Sequence, residues 1–492
     1  MMKKYISITI VFITLAFMTG CDDVLEENPT GFISPEQFYN TEKDALIAVT
    51  GQYARLTDDD LYGRDLEMMT IVGDPSVTPN RVISNPTARY DYTSTFGDIS
   101  DIWRNFYILI GDANKAIGRL EASDLSQDVK DQFIGEALFL RAYSYYTLQQ
   151  LFGDVPLWVG EITDNAAEIA ALPRTPVAEV RAQIIADLLI AENSLPPSYD
   201  RGYDKQRATK WAAKSLLAKT YLYQEDWAKA EAAAADVINN SDHALLNEYK
   251  DVFTEENEFS EEIIFTLDFQ IEIKITSRGR RYGIRTRDEL RENRESWMSG
   301  FGFNTVRQSF VNTYDPADER LEGLVFDKNL AGDQLNMIYM QKHQRTNDIQ
   351  DKDGINFIIF RLADILLVHA EAANQNNNMT GAEISLNKVR FRANVPDITG
   401  LSKDGLRDAI RQERLWELVG ENHGKLDRMR WRTLVVDVQA VYLSAIAAGE
   451  PAGPVEMARI MGVNIADKHL LLPIPDAEFQ KNPTLGEQNT GW

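Results

Sequence analysis

Apolar residues recur at helical spacing along most of this chain, and the recurrence predicts a mainly α-helical protein. Leu46, Val49, Tyr53 and Leu56 form a first stripe, with Thr41 placed to cap its helix and Asp58-Asp59-Asp60 to end it. Ile102, Phe106, Leu109, Ala113, Ile117 and Leu120 form a second. Phe133, Ala137, Leu140, Ser144, Leu148 and Leu151 form a third, closed by Phe152-Gly153. Val177, Val180, Ile184, Leu188, Ala191 and Leu195 form a fourth, ended by Pro196-Pro197.

Residues 208–239 carry a more specific signal. Leu217, Ala218, Tyr221, Trp227 and Ala230 sit at the offsets of a tetratricopeptide unit, in which small Ala230 lets two helices approach while Tyr221 and Trp227 fill the space between them. Ala370, Ala373, Ala382, Leu386 and Val389 suggest a second unit at 361–392. Stacked pairs bury a continuous core. Residues 41–492 are therefore expected to form a single α-rich domain on a tetratricopeptide-like helix-pair scaffold, with long loop-rich insertions and minor β structure.

Two stretches break the helical pattern. Residues 73–98 mix Gly, Pro, Asn, Ser and Thr with Tyr90, Tyr92 and Phe96. Residues 259–345 open with an apolar run, Ile263 to Phe269, that suggests a short strand, and continue rich in Arg, Gly, Asn and aromatics. Long irregular segments on a regular scaffold are natural places for a binding surface.

The N-terminus reads as an export signal. Lys3 and Lys4 precede an almost uncharged run from Tyr5 to Met18, too short for a confident membrane span. Thr19 and Gly20 then lead to Cys21, the only cysteine in the chain. The pattern is similar to a bacterial lipobox, with Met18 where Leu is usual. Residues 1–20 are thus expected to be a lipoprotein signal peptide, and 21–40 an extended arm carrying acyl chains on Cys21. Lipidation would hold the protein to a membrane without a spanning helix and would leave no thiol for disulfide, metal or nucleophilic chemistry.

Charge and motifs exclude several functions. The formal net charge is −24, and the first 20 residues carry only two lysines, so their removal makes it more negative still. Such a chain repels polyanions, which argues against nucleic acid as a partner. The five histidines share no helical metal spacing and have no cysteine to join them, so no metal site is expected. Asp351 and Asp353-Gly354 fail as an EF-hand because its first and twelfth positions would be Ile349 and Phe360. No phosphate loop, dinucleotide loop or nucleophile elbow occurs. Glu413, Glu417 and Glu421 repeat every four residues near Arg411, Arg414, Asp427, Arg428 and Arg430. That pattern reads as an ion-pair network between packed helices, with an active site as the alternative.

Several blocks together resemble the SusD/RagB family of surface glycan-binding lipoproteins of Gram-negative bacteria. They are Cys21 to Glu26 with Pro29, Ser34 and Phe38; Glu136 to Tyr143 followed by Leu151 to Leu157; and Arg361 to Asp364 with Ala370-Glu371-Ala372 and Asn374. Glu413-Arg414, Glu417, Gly420-Glu421, His423, Asp427 and Arg430-Trp431 form another, and Leu471 to Pro475 with Asn482-Pro483 and Gly491 close the match. Gly424 and Lys425 depart from the family's usual Arg and bulky aromatic. The resemblance implies no catalysis and no cofactor. It implies a SusC-like TonB-dependent transporter as partner, over which the lipoprotein sits as a lid at the surface of the outer membrane. The ligand would be an oligosaccharide or polysaccharide. A peptide or other polymer is the alternative among binding proteins, and a surface glycoside hydrolase the alternative among enzymes.

Sugars offer flat apolar patches between hydroxyls, so a glycan site needs exposed rings with polar groups at their edges. Asp74, Asn80, Arg81, Tyr90 and Tyr92 from the first interruption, and Trp297, Phe301 and Arg345 from the second, supply that composition. Asp58 and Asp60 are expected on the same rim. Each of these residues could instead pack its own loop. Trp297 stands out, since Gly300 and Gly302 nearby offer it little core to fill.

Overall fold

The computed structural model describes residues 38–78, 85–160, 171–199, 205–269, 305–328, 334–340, 342 and 356–492. The expected signal segment, Cys21 and the arm as far as residue 37 lie outside them.

Helix α1 (Glu42–Leu56) begins as its sequence requires: Thr41 Oγ1 accepts from the Asp44 amide at 3.2 Å, and the Thr41 amide donates to Asp44 Oδ2 at 2.9 Å. Its buried face is Ala45, Val49, Gln52, Tyr53 and Leu56, whereas Leu46 is 37% exposed. The expected stripe is therefore turned by about one residue at its start. Helices α2 (Gly97–Glu121), α3 (Gln127–Phe152), α4 (Val177–Ser194), α5 (Lys210–Tyr223) and α6 (Trp227–Asn240) follow, each packed against the next. Helix α3 is covered all round. Every residue from Phe139 to Phe152 is buried, which makes α3 the axis of this half of the molecule.

Helices α7 (Leu362–Gln375) and α8 (Met379–Arg392) form the second predicted pair, and α6 packs on α7 so that the stack continues. The two pairs are built alike. Each joins two 14-residue helices through three residues, Gln224-Glu225-Asp226 and Asn376-Asn377-Asn378. The middle residue is left-handed in both, with φ of 61° at Glu225 and 64° at Asn377. The third donates its amide back to the first helix, Asp226 to the Tyr221 carbonyl and Asn378 to that of Ala373. Its side chain then caps the second helix, accepting from the amides of Lys229 and Gly381. Trp227, expected between the helices of the first pair, is only half-buried at the start of α6.

Helices α9 (Lys403–Leu418), α10 (Gly424–Trp431), α11 (Leu434–Ala447) and α12 (Ala452–Asn464) complete the scaffold, with α9 against α7 and α11 against α12. No helix among the described residues is long and apolar enough to cross a membrane.

Among the described residues eight short strands lie between the helices: β1 (Val77–Thr78), β2 (Val155–Pro156), β3 (Arg174–Thr175), β4 (Ile263–Leu267), β5 (Thr305–Val306), β6 (Val325–Lys328), β7 (Gln334–Met340) and β8 (Phe357–Arg361). They pair as an antiparallel four-stranded sheet of order β1-β5-β7-β6 and two isolated pairs, β2-β3 and β4-β8. The apolar run at Ile263 is β4, as predicted, and all five of its residues are buried.

The glutamates repeated every four residues, Glu413 and Glu417 on α9 and Glu421 in the turn after it, enter a buried ion-pair network. Glu417 accepts from Arg361 Nη1 at 2.6 Å, from Arg320 Nη1 at 3.1 Å and from Arg392. Glu413 takes Arg320 and Arg390, and Glu421 takes Arg361 and Lys342. With Asp318 and Glu262, five acids meet five bases. A second cluster joins Asp427 to Arg414 and Arg430, and Arg430 to Glu371 by two bonds of 2.6 Å. The network fixes α9, α8 and β8 to one another, which is the structural role read from the spacing.

Candidate functional site

Both interruptions of the helical pattern leave the scaffold through one sheet. Val77 and Thr78 pair with Val306 and Thr305, and Thr305 Oγ1 also donates to the Thr78 carbonyl. Strand β5 pairs in turn with β7, Thr305 opposite Tyr339 and Val306 opposite Ile338. Residues distant in sequence are thus stitched side by side. Asn80 and Arg81 follow Thr78 closely in the chain, Trp297 and Phe301 precede Thr305, and Arg345 follows Met340. These five candidate residues lie outside the described residues, as does the rest of 79–84 and 270–304.

Asp58 and Asp60 sit in the turn that ends α1, and both are half-exposed. The turn is tight. The Asp58 carbonyl accepts from the amides of Leu61 and Gly63 at 2.9 and 2.8 Å. A Cβ on Gly63 would come within 2.7 Å of the Asp58 carbonyl and the Asp59 backbone, so only glycine fits. Asp60 Oδ2 accepts from Asn105 Nδ2 at 2.9 Å and from Arg104 Nη2 at 3.1 Å, which attaches the turn to α2.

Asp74, Tyr90 and Tyr92 depart from the expectation of exposed binding groups; they are only 3%, 2% and 3% exposed. Asp74 Oδ1 accepts from Arg428 Nη1 at 2.9 Å and from the Ser76 amide at 2.8 Å. The Tyr90 hydroxyl donates to the Gly73 carbonyl, and its backbone is left-handed at φ 52° after the short helix Pro86–Arg89. Tyr92 stacks on Trp492 with centroids 5.4 Å apart and meets the edge of His469 at the same distance. The reason is physical: a loop with few backbone ladders needs its own apolar filling, and these rings supply it. Their partners come from the far C-terminal end of the chain. That separation hid the contacts from any reading by local spacing.

Lys425, one of the two departures from the family pattern, lies under the same rings. Its ammonium donates to the Met69 carbonyl at 2.9 Å and sits 5.3 Å from the Tyr90 ring centroid and 6.0 Å from that of Tyr92. Asp74 is the acid that favours its charge, but burial dominates and lowers its pKa to about 7. The unfolded chain then binds more protons than the folded one between about pH 7 and the ordinary lysine range, so stability rises with pH across that window. Lys425→Met should therefore stabilise the protein by about 1–3 kcal/mol at pH 6, on the scale seen when apolar residues replace buried charge. The gain should shrink steadily above pH 7. Urea unfolding of both proteins at pH 6, 8 and 9.5 checks this; a difference that does not vary with pH would contradict it.

Sequence reasoning missed the groups that surround Asp60. Asp65, fully buried, and Asp101, half-exposed on α2, approach it together with Arg64 and Arg104. The one local signal was the Asp98, Asp101, Arg104 spacing of three along α2.

Comparison with known proteins gives consistent relatives along the whole chain. The model described as the SusD family matches residues 326–492, and one described as starch-binding associating with outer membrane matches residues 33–222. A SusD-like protein of Formosa agariphila is 30% identical, with 98% of each chain covered. A SusD-like protein of Bacteroides ovatus is 26% identical over 96% of this chain and 95% of its own. Among solved structures, a SusD homolog from Bacteroides thetaiotaomicron superposes with a TM-score of 0.81 at 22% identity, covering 93% of this chain and 98% of that one. A laminarin-binding SusD-like protein superposes with a TM-score of 0.74 at 22% identity, covering 92% and 100%.

Proposed function

The chain belongs to the SusD family, and from that premise we propose that it is a surface lipoprotein that captures an oligosaccharide or polysaccharide and passes it to a SusC-like TonB-dependent transporter in the outer membrane. It would be tethered through Cys21 and would act as the lid of that transporter, without catalysis or cofactor. The observation that carries the reading is the pairing of β1 with β5, which brings the stems of both aromatic-rich interruptions to one sheet on a rigid helical scaffold. Function placed on irregular segments held by a regular frame is the common arrangement for recognition. The net charge of −24 favours a neutral glycan over a polyanionic one. One relative of the same fold is described as binding laminarin, and the match to a starch-binding model points the same way.

Within this proposal Asn80, Arg81, Trp297, Phe301 and Arg345 remain the ligand-facing candidates, with Asp58 at the rim, while Asp74, Tyr90 and Tyr92 hold the stem of the loop in place. Trp297→Ala should weaken glycan binding by about 1–3 kcal/mol, the scale of aromatic stacking on a flat ligand, with the melting temperature nearly unchanged. Tyr92→Ala should instead lower the melting temperature first. Titration calorimetry with laminarin and starch, beside thermal melts, tests both; equal affinities for wild type and Trp297→Ala would move the site elsewhere. For the partner, mild-detergent extraction of native membranes should co-purify a large outer-membrane β-barrel with the tagged protein. Repeated absence of any such barrel would contradict the lid role.

A further inference from the structure

Two carboxylates of the segment that follows α1 meet one from α2. Asp60 belongs to the turn that ends α1, Asp65 opens the short helical turn Asp65–Glu67, and Asp101 lies near the start of α2. One oxygen of each lies within 4.8 Å of an oxygen of each of the others. Every one of them is half engaged. Asp60 uses Oδ2 for Arg104 and Asn105, Asp101 uses Oδ1 for Arg104 Nη2 at 2.7 Å, and Asp65 uses Oδ1 for Arg64 Nε at 2.5 Å. Asp60 Oδ1, Asp65 Oδ2 and Asp101 Oδ2 have no protein donor among the described residues.

Asp65 is the second, independent sign. Its side chain has no exposed surface, and its Oδ2 is buried without a hydrogen-bond partner among the described residues. A carboxylate oxygen taken from water with nothing in exchange is costly and calls for an explanation, a bound ion or water being one. Charge counts in the same direction. Asp98 stands beside Asp65 and Asp101, so among the described residues the carboxylates here outnumber the cations Arg64 and Arg104.

We propose that Asp60, Asp65 and Asp101 form a calcium site that ties the turn after α1 to the first turns of α2. The donor set is all oxygen and all hard, which selects calcium or magnesium over zinc. Calcium holds oxygens at about 2.3–2.6 Å, so ligands on opposite sides of it stand roughly 5 Å apart, whereas magnesium at about 2.0–2.1 Å demands closer ones. Oxygens that all lie within 4.8 Å of one another can close on calcium without a large shift of the backbone. Asp60 and Asp101 are half-exposed, which leaves room for waters to complete the shell. The Arg104 side chain, 55% exposed, has solvent to move into when the ion takes its place on the carboxylates. Asp60 then serves as a cation ligand in place of the sugar contact read from its sequence position. This inference rests on the carboxylate geometry alone and is independent of the glycan reading.

The test uses the full chain stripped with a chelator and titrated with calcium chloride, read by calorimetry and by the thermal midpoint. Wild type should take up one ion at this site and melt higher with calcium than without. Asp65→Asn and Asp101→Asn should each weaken that uptake by about tenfold or more, and Asp408→Asn, on an exposed helix face, should not change it. Asp101 is the safer variant for folding because it is half-exposed. Magnesium at the same concentration should bind more weakly. The site would be overturned by a stripped wild type that takes up no calcium, by uptake unchanged in both Asp65→Asn and Asp101→Asn, or by magnesium binding as tightly.

Discussion

Replacing Glu417 by alanine is expected to destabilise the protein by about 3–5 kcal/mol, the cost of leaving a buried charge without its partner. Glu417 is fully buried and touches Arg320, Arg361 and Arg392. Those guanidiniums hold its carboxyl well below the usual carboxylate range against the opposing effect of burial. Its removal leaves the five bases of this network facing four acids in an apolar surrounding. The loss should spread beyond α9. Arg361 ends β8 and Arg392 ends α8, so both elements lose an anchor at once. Sign follows from the depressed pKa: the contribution of Glu417 is present above the ordinary glutamate range and fades as pH falls through its folded value. The difference between wild type and Glu417→Ala should therefore be full at pH 7 and smaller in strong acid. Urea denaturation at pH 7 measures it. A loss under 1 kcal/mol would mean that the network is worth little and that the helical core alone sets the stability.

The second large effect concerns location rather than stability. If Cys21 is lipidated as proposed, Cys21→Ala should transfer the protein almost wholly from the membrane fraction to the soluble one, since acyl chains supply about 0.8 kcal/mol per buried methylene and no helix among the described residues is long and apolar enough to cross a membrane. Detergent-phase partitioning of membranes from cells making each form reads it directly. The variant should fold and bind glycan as wild type does, because the described helices begin only at Glu42. Unchanged partitioning would remove the lipid tether from the account.

The helical frame was legible because its signals are local. Thr41 and Asp44 close a capping box three residues apart, and Asp226 and Asn378 end identical turns, all from residues that stand together in the chain. The alanines at 230 and 382 mark close helix approach by their size alone, and both are fully buried. The role of Glu413, Glu417 and Glu421 was equally readable, since one helix face carries the first two and the turn just after the helix carries the third. Leu46 shows the limit of a stripe: Ala45 and Gln52 took its share of the interface, and the apolar residue was left half in water. The candidate site was less legible because its parts are far apart. Nothing near Tyr92 announces Trp492, and nothing near Asp60 announces that Asp101 will share its space. A ring on a loop and a ring in a core look alike until the partner is placed. The meeting of β1 with β5 across more than two hundred residues is invisible for the same reason.

The central claim is that this chain binds glycan and leaves it intact. The most direct measurement incubates the purified full chain with a panel of neutral polysaccharides that includes laminarin and starch, and records binding by calorimetry and new reducing ends by colorimetric assay in the same samples. The account predicts saturable binding to at least one polysaccharide with no release of reducing ends. Release of reducing ends, or no saturable binding to any member of a broad panel, would contradict it.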